Sequence, residues 1–164
     1  MTIPGLNALP VGSQAPDFTL RDQNNELVSL SDFRGDKAVL LVFYPWAFTN
    51  ICTGELGQIR ANMAGFANEH VQVITISIDS SYVHKMFAQR DELRFPLLAD
   101  FWPHGAVAEL FGVFNTDAGV ANRGTFLVDS DGIIRFSEVN EIGVGRDPQR
   151  WLAEIAALAP AVAG

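Results

Sequence analysis

Cys52 is the only thiol in this 164-residue chain. It stands in FYPWAFTNICTGEL, residues 43–56, after an apolar run and close behind Pro45 and Thr49. A thiolate is a nucleophile and an oxidisable group, so this stretch is equipped for nucleophilic or redox chemistry. In the pattern Pro45-x-x-x-Thr49-x-x-Cys52, a ring that excludes water and a hydroxyl that hydrogen-bonds a substrate both lie on the approach to the sulfur. A lone cysteine is more often a small buried hydrophobe. Its place in the chain argues for more. It falls between an apolar strand and an amphipathic helix, and open α/β sheets gather their chemistry beyond the carboxyl ends of their strands. In the first turn of a helix, unpaired N–H groups and the macrodipole favour an anion, and a thiolate is that anion.

The elements that must position this thiol are readable from periodicity. DFTLRDQNNELVSL predicts two short strands, 18–20 and 27–30, joined by a polar turn at Asn24-Asn25. AVLLVFY, residues 38–44, has the length and the β-branched and aromatic content of a strand buried on both faces. Leu56, Ile59, Met63 and Phe66 recur at helical spacing, which predicts a helix from the cysteine to about Glu69. VQVITISI, 71–78, is a second buried strand, and Asp79 to Ser81 offer N-caps for a helix to about Arg90. FPLLAD predicts a third strand, followed by a short helix near Ala106–Phe111. GTFLVDSDGIIRFSEV reads as a hairpin turned at Asp131-Gly132. Pro148 opens a last helix with Trp151, Leu152, Ile155 and Leu158 inward. This order predicts an α/β chain with a central mixed β-sheet flanked by helices and an N-terminal β-hairpin extension. It is the element order of a thioredoxin-like fold. Residues 1–164 are expected to form one domain, with residues 1–12 a loose N-terminal arm.

At Pro45, Thr49 and Cys52 the sequence resembles the peroxiredoxins, whose hallmark is P-x-x-x-[TS]-x-x-C after a strand and opening a helix. APDFTL at 15–20 is similar to the family's N-terminal signature, and NRGTFLVDSDGIIRF at 122–136 to its late hairpin. LVFYPWAFT, ICTGEL, FPLLADFWPHGAV and FGVFN resemble the one-cysteine alkyl hydroperoxide reductase E type in particular. The resemblance implies a thiol-dependent peroxidase with an antioxidant role. Cys52 would attack the O–O bond of a hydroperoxide and become a sulfenic acid. Thr49 would hydrogen-bond the peroxide, Pro45 would limit solvent access, and Arg123 would pair with the thiolate and donate to the peroxide oxygens. Nothing but the resemblance singles Arg123 out from the eight other arginines. The implied reductant is an external thiol, mycothiol with a glutaredoxin-like mycoredoxin, and the implied assembly is a homodimer through loops beside the site.

Ionisation alone does not make such a thiol fast. A free thiol with a pKa of ~8.5 is already several per cent thiolate near neutrality, so full ionisation gains only about tenfold to thirtyfold. Donors aimed at the leaving oxygen can each supply roughly 3 kcal/mol. Arg123, Thr49 and the N–H groups of the helix start are the candidates. Glu55 reads first as a glutamate suited to the start of the helix, and second as a member of an arginine network.

Other classes are disfavoured. The formal charge of −8, with only Lys37 and Lys85 and nine scattered arginines, repels nucleic-acid phosphates and anionic membranes. MTIPGLNALPVGS lacks the basic start of a secretory signal. One cysteine forms no internal disulfide and supplies no resolving thiol, which suits a reducing cytoplasm. His70, His84 and His104 have no metal-ligand spacing, and no metal or cofactor is expected. His84 lies on a helix that can approach the thiol, so a Cys–His hydrolase stays open as a third reading. The second is a redox-sensing or interaction protein on the same fold, in which Cys52 oxidises slowly.

Overall fold

The computed structural model describes residues 3–163, with side chains through Leu158. The strands are β1 (Thr19–Arg21), β2 (Leu27–Ser29), β3 (Ala38–Phe43), β4 (Val71–Ser77), β5 (Leu97–Ala99), β6 (Phe114–Asn115), β7 (Val120–Ala121), β8 (Arg123–Val128) and β9 (Ile134–Asn140). The helices are α1 (Asn50–Ala61), α2 (Met63–Phe66), α3 (Ser81–Asp91), α4 (Ala106–Leu110) and α5 (Pro148–Ala163). Seven strands form one sheet in the order β2-β1-β5-β4-β3-β8-β9. β3, β4 and β5 run parallel, while β8 and β9 pair antiparallel on one side and β1 and β2 on the other. The sheet is mixed, as the element order predicts, and the hairpin β1–β2 extends it at the N-terminal end.

The central strand β3 shows why the apolar run folds as a strand. Val39, Leu41 and Phe43 point to one face and Leu40 and Val42 to the other, and all are buried. The first face packs the rings of Phe43, Phe111 and Phe126, with centroids 5.2–6.0 Å apart, beneath α4. The second receives Leu56 and Ile59 of α1, Phe66 of α2, Phe87 of α3 and Trp151 of α5. Each such side chain contributes roughly 2–3 kcal/mol by leaving water. A strand covered on both sides needs no polar positions, which is why its sequence does not alternate.

Two expectations change. The helix predicted from Cys52 to about Glu69 breaks at Asn62, where φ −136° and ψ 52° leave the helical region. The apolar stripe continues through α2, because Gly65 lets this turn approach α5 closely. A Cβ there would sit 2.7 Å from Leu152 Cδ2.

The arm expected to be loose over residues 1–12 is docked in the part that is described; Met1 and Thr2 lie outside it. Asn7 N–H donates to Gly112 O at 2.8 Å and Leu9 N–H to Phe111 O at 3.2 Å, while Gly12 N–H donates to Ile134 O at 2.8 Å. Ala8 and Leu9 pack against the phenylalanine core. Gly112, at φ +73°, admits the Asn7 carbonyl where a Cβ would collide with it. The prolines and glycine that made this segment look unstructured only keep it from being a regular element.

The hairpin β8–β9 turns at Asp131-Gly132 as expected, with Gly132 at φ +87°. The two-residue strands β6 and β7 form a small separate hairpin that carries no sequence signal of this length.

Candidate active site

β3 ends at Phe43, and the chain crosses residues 44–49 to enter α1 at the carboxyl edge of the parallel strands. Thr49 is the N-cap, at φ −84° and ψ 156°. The first helical hydrogen bond runs from Thr53 N–H to Thr49 O at 2.9 Å, so the N–H groups of Asn50 to Cys52 have no partner inside the helix. Cys52 therefore lies in the first turn, where the dipole favours negative charge. Its surface is fully buried, at 0% exposure. Water is kept from the sulfur, which strengthens every electrostatic contact made to it.

The contact is Arg123. This residue opens β8 and lies 71 positions from the cysteine in sequence. Its Nη1 donates to Cys52 Sγ at 3.3 Å and to Glu55 Oε1 at 3.0 Å. Its Nε donates to Ile142 O at 2.7 Å, which aims the guanidinium. Among the described residues, Nη2 has no hydrogen-bond partner, leaving one planar donor for a ligand.

Glu55 is not a first-turn glutamate. The helix begins at Asn50, so Glu55 lies beyond the first turn, and it is 3% exposed. It accepts a two-pronged contact from Arg146, Nε to Oε2 at 2.9 Å and Nη2 to Oε1 at 2.8 Å, and a third bond from the Arg146 backbone N–H at 2.8 Å. Burial pushes its carboxyl up, but the hydrogen bonds and charge of Arg146, with the charge of Arg123, outweigh that and hold it below its usual range. Two guanidiniums against one carboxylate leave one positive charge uncompensated in the buried cluster. A thiolate at Cys52 neutralises it.

Thr49 stands at the N-cap, three residues ahead of the thiol, and its proton is committed. Thr49 Oγ1 donates to Trp46 O at 2.9 Å. In this arrangement the hydroxyl offers its lone pairs toward a ligand. Pro45 is buried at the head of the loop. Phe48 holds φ +68°, a left-handed conformation uncommon for a bulky residue, with the Arg90 guanidinium 4.7 Å above its ring. His84 is buried on α3, and its ring nitrogen meets Ser77 Oγ at 2.7 Å. Arg123, and not a histidine, stands at the sulfur. Among the described residues no cluster of three His, Cys, Asp or Glu side chains is placed to hold a metal ion.

Sequence reasoning missed Arg146. It lies in GVGRDPQ between β9 and α5, and only the folded chain brings it to Glu55. Its Nη1 also donates to Gly124 O and Thr125 Oγ1, both at 3.0 Å, and its guanidinium lies 5.3 Å from the Trp151 ring.

The AhpC/TSA family pattern matches residues 11–137. The chain belongs to this family of peroxiredoxins. It is 54% identical over 150 residues to "Alkyl hydroperoxide reductase E" of Mycobacterium tuberculosis, covering 92% of this chain and 98% of the relative. It is 34% identical over 158 residues to "2-Cys peroxiredoxin BAS1, chloroplastic" of Arabidopsis thaliana, across 90% of this chain and 59% of that one. The crystal structure of Enterococcus faecalis AhpC superposes with a TM-score of 0.83 at 30% identity, over 93% of each chain. This peroxiredoxin has one cysteine and is a thiol-dependent peroxidase with a thioredoxin-like fold. It belongs with the alkyl hydroperoxide reductase E type.

Proposed function

We propose that this peroxiredoxin reduces hydrogen peroxide and organic hydroperoxides, and peroxynitrite by the same chemistry, through Cys52. The observation that carries the reading is the Arg123 Nη1 contact to Cys52 Sγ at 3.3 Å inside a sealed, net-positive cluster. The thiolate attacks the terminal peroxide oxygen, the O–O bond breaks, and its electron pair leaves with the distal oxygen as alkoxide or hydroxide, or as nitrite from peroxynitrite. Cys52 is oxidised to sulfenic acid, and the leaving oxygen takes up a proton as alcohol or water. Arg123 Nη2 is the free donor for the developing charge. Thr49 Oγ1 accepts the hydrogen of the peroxide and so orients it. Pro45 shields the sulfur from water.

With no second cysteine, the sulfenic acid is reduced from outside. One thiol condenses with it to a mixed disulfide and water, and a second thiol releases Cys52. A mycothiol-type thiol with a mycoredoxin-like protein suits this step, consistent with the 54% identity to the mycobacterial reductase. Such thiols are abundant in a reducing cytoplasm. Among the described residues no helix is long and apolar enough to cross a membrane. A homodimer is supported by exposed aromatics: Trp46 and Phe48 on the loop before Cys52, and Tyr82, Phe101 and Trp102, the last 80% exposed.

Complete burial of Cys52 is the one observation that favours a slow-oxidising sensor. Stopped-flow mixing of reduced protein with hydrogen peroxide, followed by tryptophan fluorescence, separates the two. A peroxidase oxidises orders of magnitude faster than free cysteine, forms a sulfenic acid by mass, loses both in Cys52→Ser, and turns over with added thiol. A rate matching free cysteine, with no turnover, leaves the sensor.

A further inference from the structure

The loop that carries Pro45 and Thr49 is not held in place by the catalytic cluster. Among the described residues, one hydrogen bond ties residues 45–48 to the body of the protein: Ala47 N–H donates to Asp79 Oδ2 at 2.8 Å. The Thr49–Trp46 bond is internal to the loop, and the Arg90–Phe48 stacking is partly exposed. The very next residue, Phe48, takes the left-handed φ of +68° that a bulky side chain avoids, and it leads directly into the N-cap Thr49. A conformation of that kind persists only when its surroundings over-determine it.

Asp79 is itself oriented by buried groups. Ser77 Oγ lies 2.7 Å from the same Oδ2 and 2.7 Å from His84 Nε2, and it accepts from Asp79 N–H at 3.3 Å. The Asp79 carboxylate only accepts, so Ser77 gives its one proton to Oδ2. The remaining partner, His84 Nε2, must then carry a hydrogen and donate to Ser77. Burial pushes His84 down to about 4, partly offset by the Asp79 charge and the Leu97 backbone, so the ring is neutral at physiological pH and has only one N–H. That N–H is spent on Ser77, and Nδ1 is left buried without a partner. The donors converge on one carboxylate: His84 Nε2–H donates to Ser77 Oγ, Ser77 O–H donates to Asp79 Oδ2, and the Ala47 N–H donates to the same Oδ2 from the loop.

We propose that Asp79, oriented by Ser77 and His84, is a positioning residue for the peroxide reaction. It pins Ala47 and thereby fixes Thr49 and the first turn of α1 relative to Arg123. This rests on Cys52 being the peroxidatic nucleophile. It assigns a task to three residues that touch neither the sulfur nor, on this reading, the peroxide. The role is geometric: an oxygen must sit at Oδ2 and accept both donors, and its charge is secondary.

The test compares Asp79→Ala, Asp79→Asn and Ser77→Ala with the unaltered protein. The oxidation rate with hydrogen peroxide and the alkylation rate of Cys52 with iodoacetamide are both measured. Alkylation needs the thiolate but no oriented peroxide. Asp79→Ala is expected to oxidise at least about tenfold more slowly, the loss typical of a hydrogen bond to a charged group. Its alkylation should be unchanged or faster, and exchange of the Ala47 amide should accelerate. Asp79→Asn, whose amide oxygen can accept both bonds, should recover most of the peroxide rate. If Asp79→Ala fails to fold, Ser77→Ala decides, with an expected drop of about threefold or more at preserved alkylation. A variant that folds and oxidises at the unaltered rate overturns the proposal. So does an equal loss of oxidation and alkylation, or an Asp79→Asn as slow as Asp79→Ala. Failure of the peroxidase reading is distinguishable, because the unaltered protein itself would then oxidise no faster than free cysteine.

Discussion

At Cys52 the decisive neighbour is a guanidinium that only folding delivers. Pro45, Thr49 and Cys52 are legible in the sequence because they lie within eight consecutive positions and share one loop and one helix turn. Arg123 is legible only through resemblance, since nothing in its local sequence sets it apart. Glu55 is misread locally as a dipole-complementing residue, and Arg146 is not read at all. If Arg123 stabilises the charge on the departing oxygen, Arg123→Met should lower the second-order rate with peroxide by about a hundredfold, and Arg123→Lys should not restore it, since a lysine lacks the planar fork. Stopped-flow oxidation measures both. Glu55→Ala leaves Arg123 and Arg146 buried without their carboxylate. Breaking such a buried pair costs roughly 3–5 kcal/mol, which a urea titration should report as a lower midpoint at unchanged slope.

At the scale of elements, the two-sided burial of β3 and the apolar stripe of α1 follow from periodicity, and both are found. The break at Asn62 and the docking of residues 7–12 are not periodic features. They depend on close approaches, of α2 to α5 at Gly65 and of the arm to the end of α4 at Gly112. Gly112 is the more demanding, because it combines φ +73° with a backbone carbonyl where a Cβ would stand. Gly112→Ala should therefore push the arm off. Exchange of the Asn7 and Leu9 amides should become fast, and stability should fall by about 1–3 kcal/mol. Catalysis should change little, because the arm packs on the face opposite to Cys52.

At the scale of the whole molecule, the buried neutral histidine sets a pH dependence. His84 is pushed from 6.5 down to about 4 in the folded state by burial. Between those values the unfolded chain binds the extra proton and the folded one does not. Stability therefore rises with pH through this window and is lost as pH falls from 6.5 toward 4, by an amount on the order of 3 kcal/mol. Glu55 adds a loss at lower pH, since its folded value lies below its ordinary 4.5 and its clamp weakens as pH drops through that folded value. Denaturation midpoints from pH 7 to pH 4 should fall for the unaltered protein and flatten in His84→Phe. An equal slope in the variant would place the proton uptake elsewhere.

The sequence by itself determined the main strands and helices, their order and the thiol loop, because periodicity, capping and the spacing of Pro45, Thr49 and Cys52 act over a few residues. Only the tertiary structure decided what surrounds the sulfur. Arg123, Glu55 and Arg146 meet across 68 and 91 positions of chain, and Asp79, held by Ser77 of β4 and through it by His84 of α3, meets the loop 32 positions away. Buried charges must find partners wherever the sheet brings them, and local sequence carries no record of that choice.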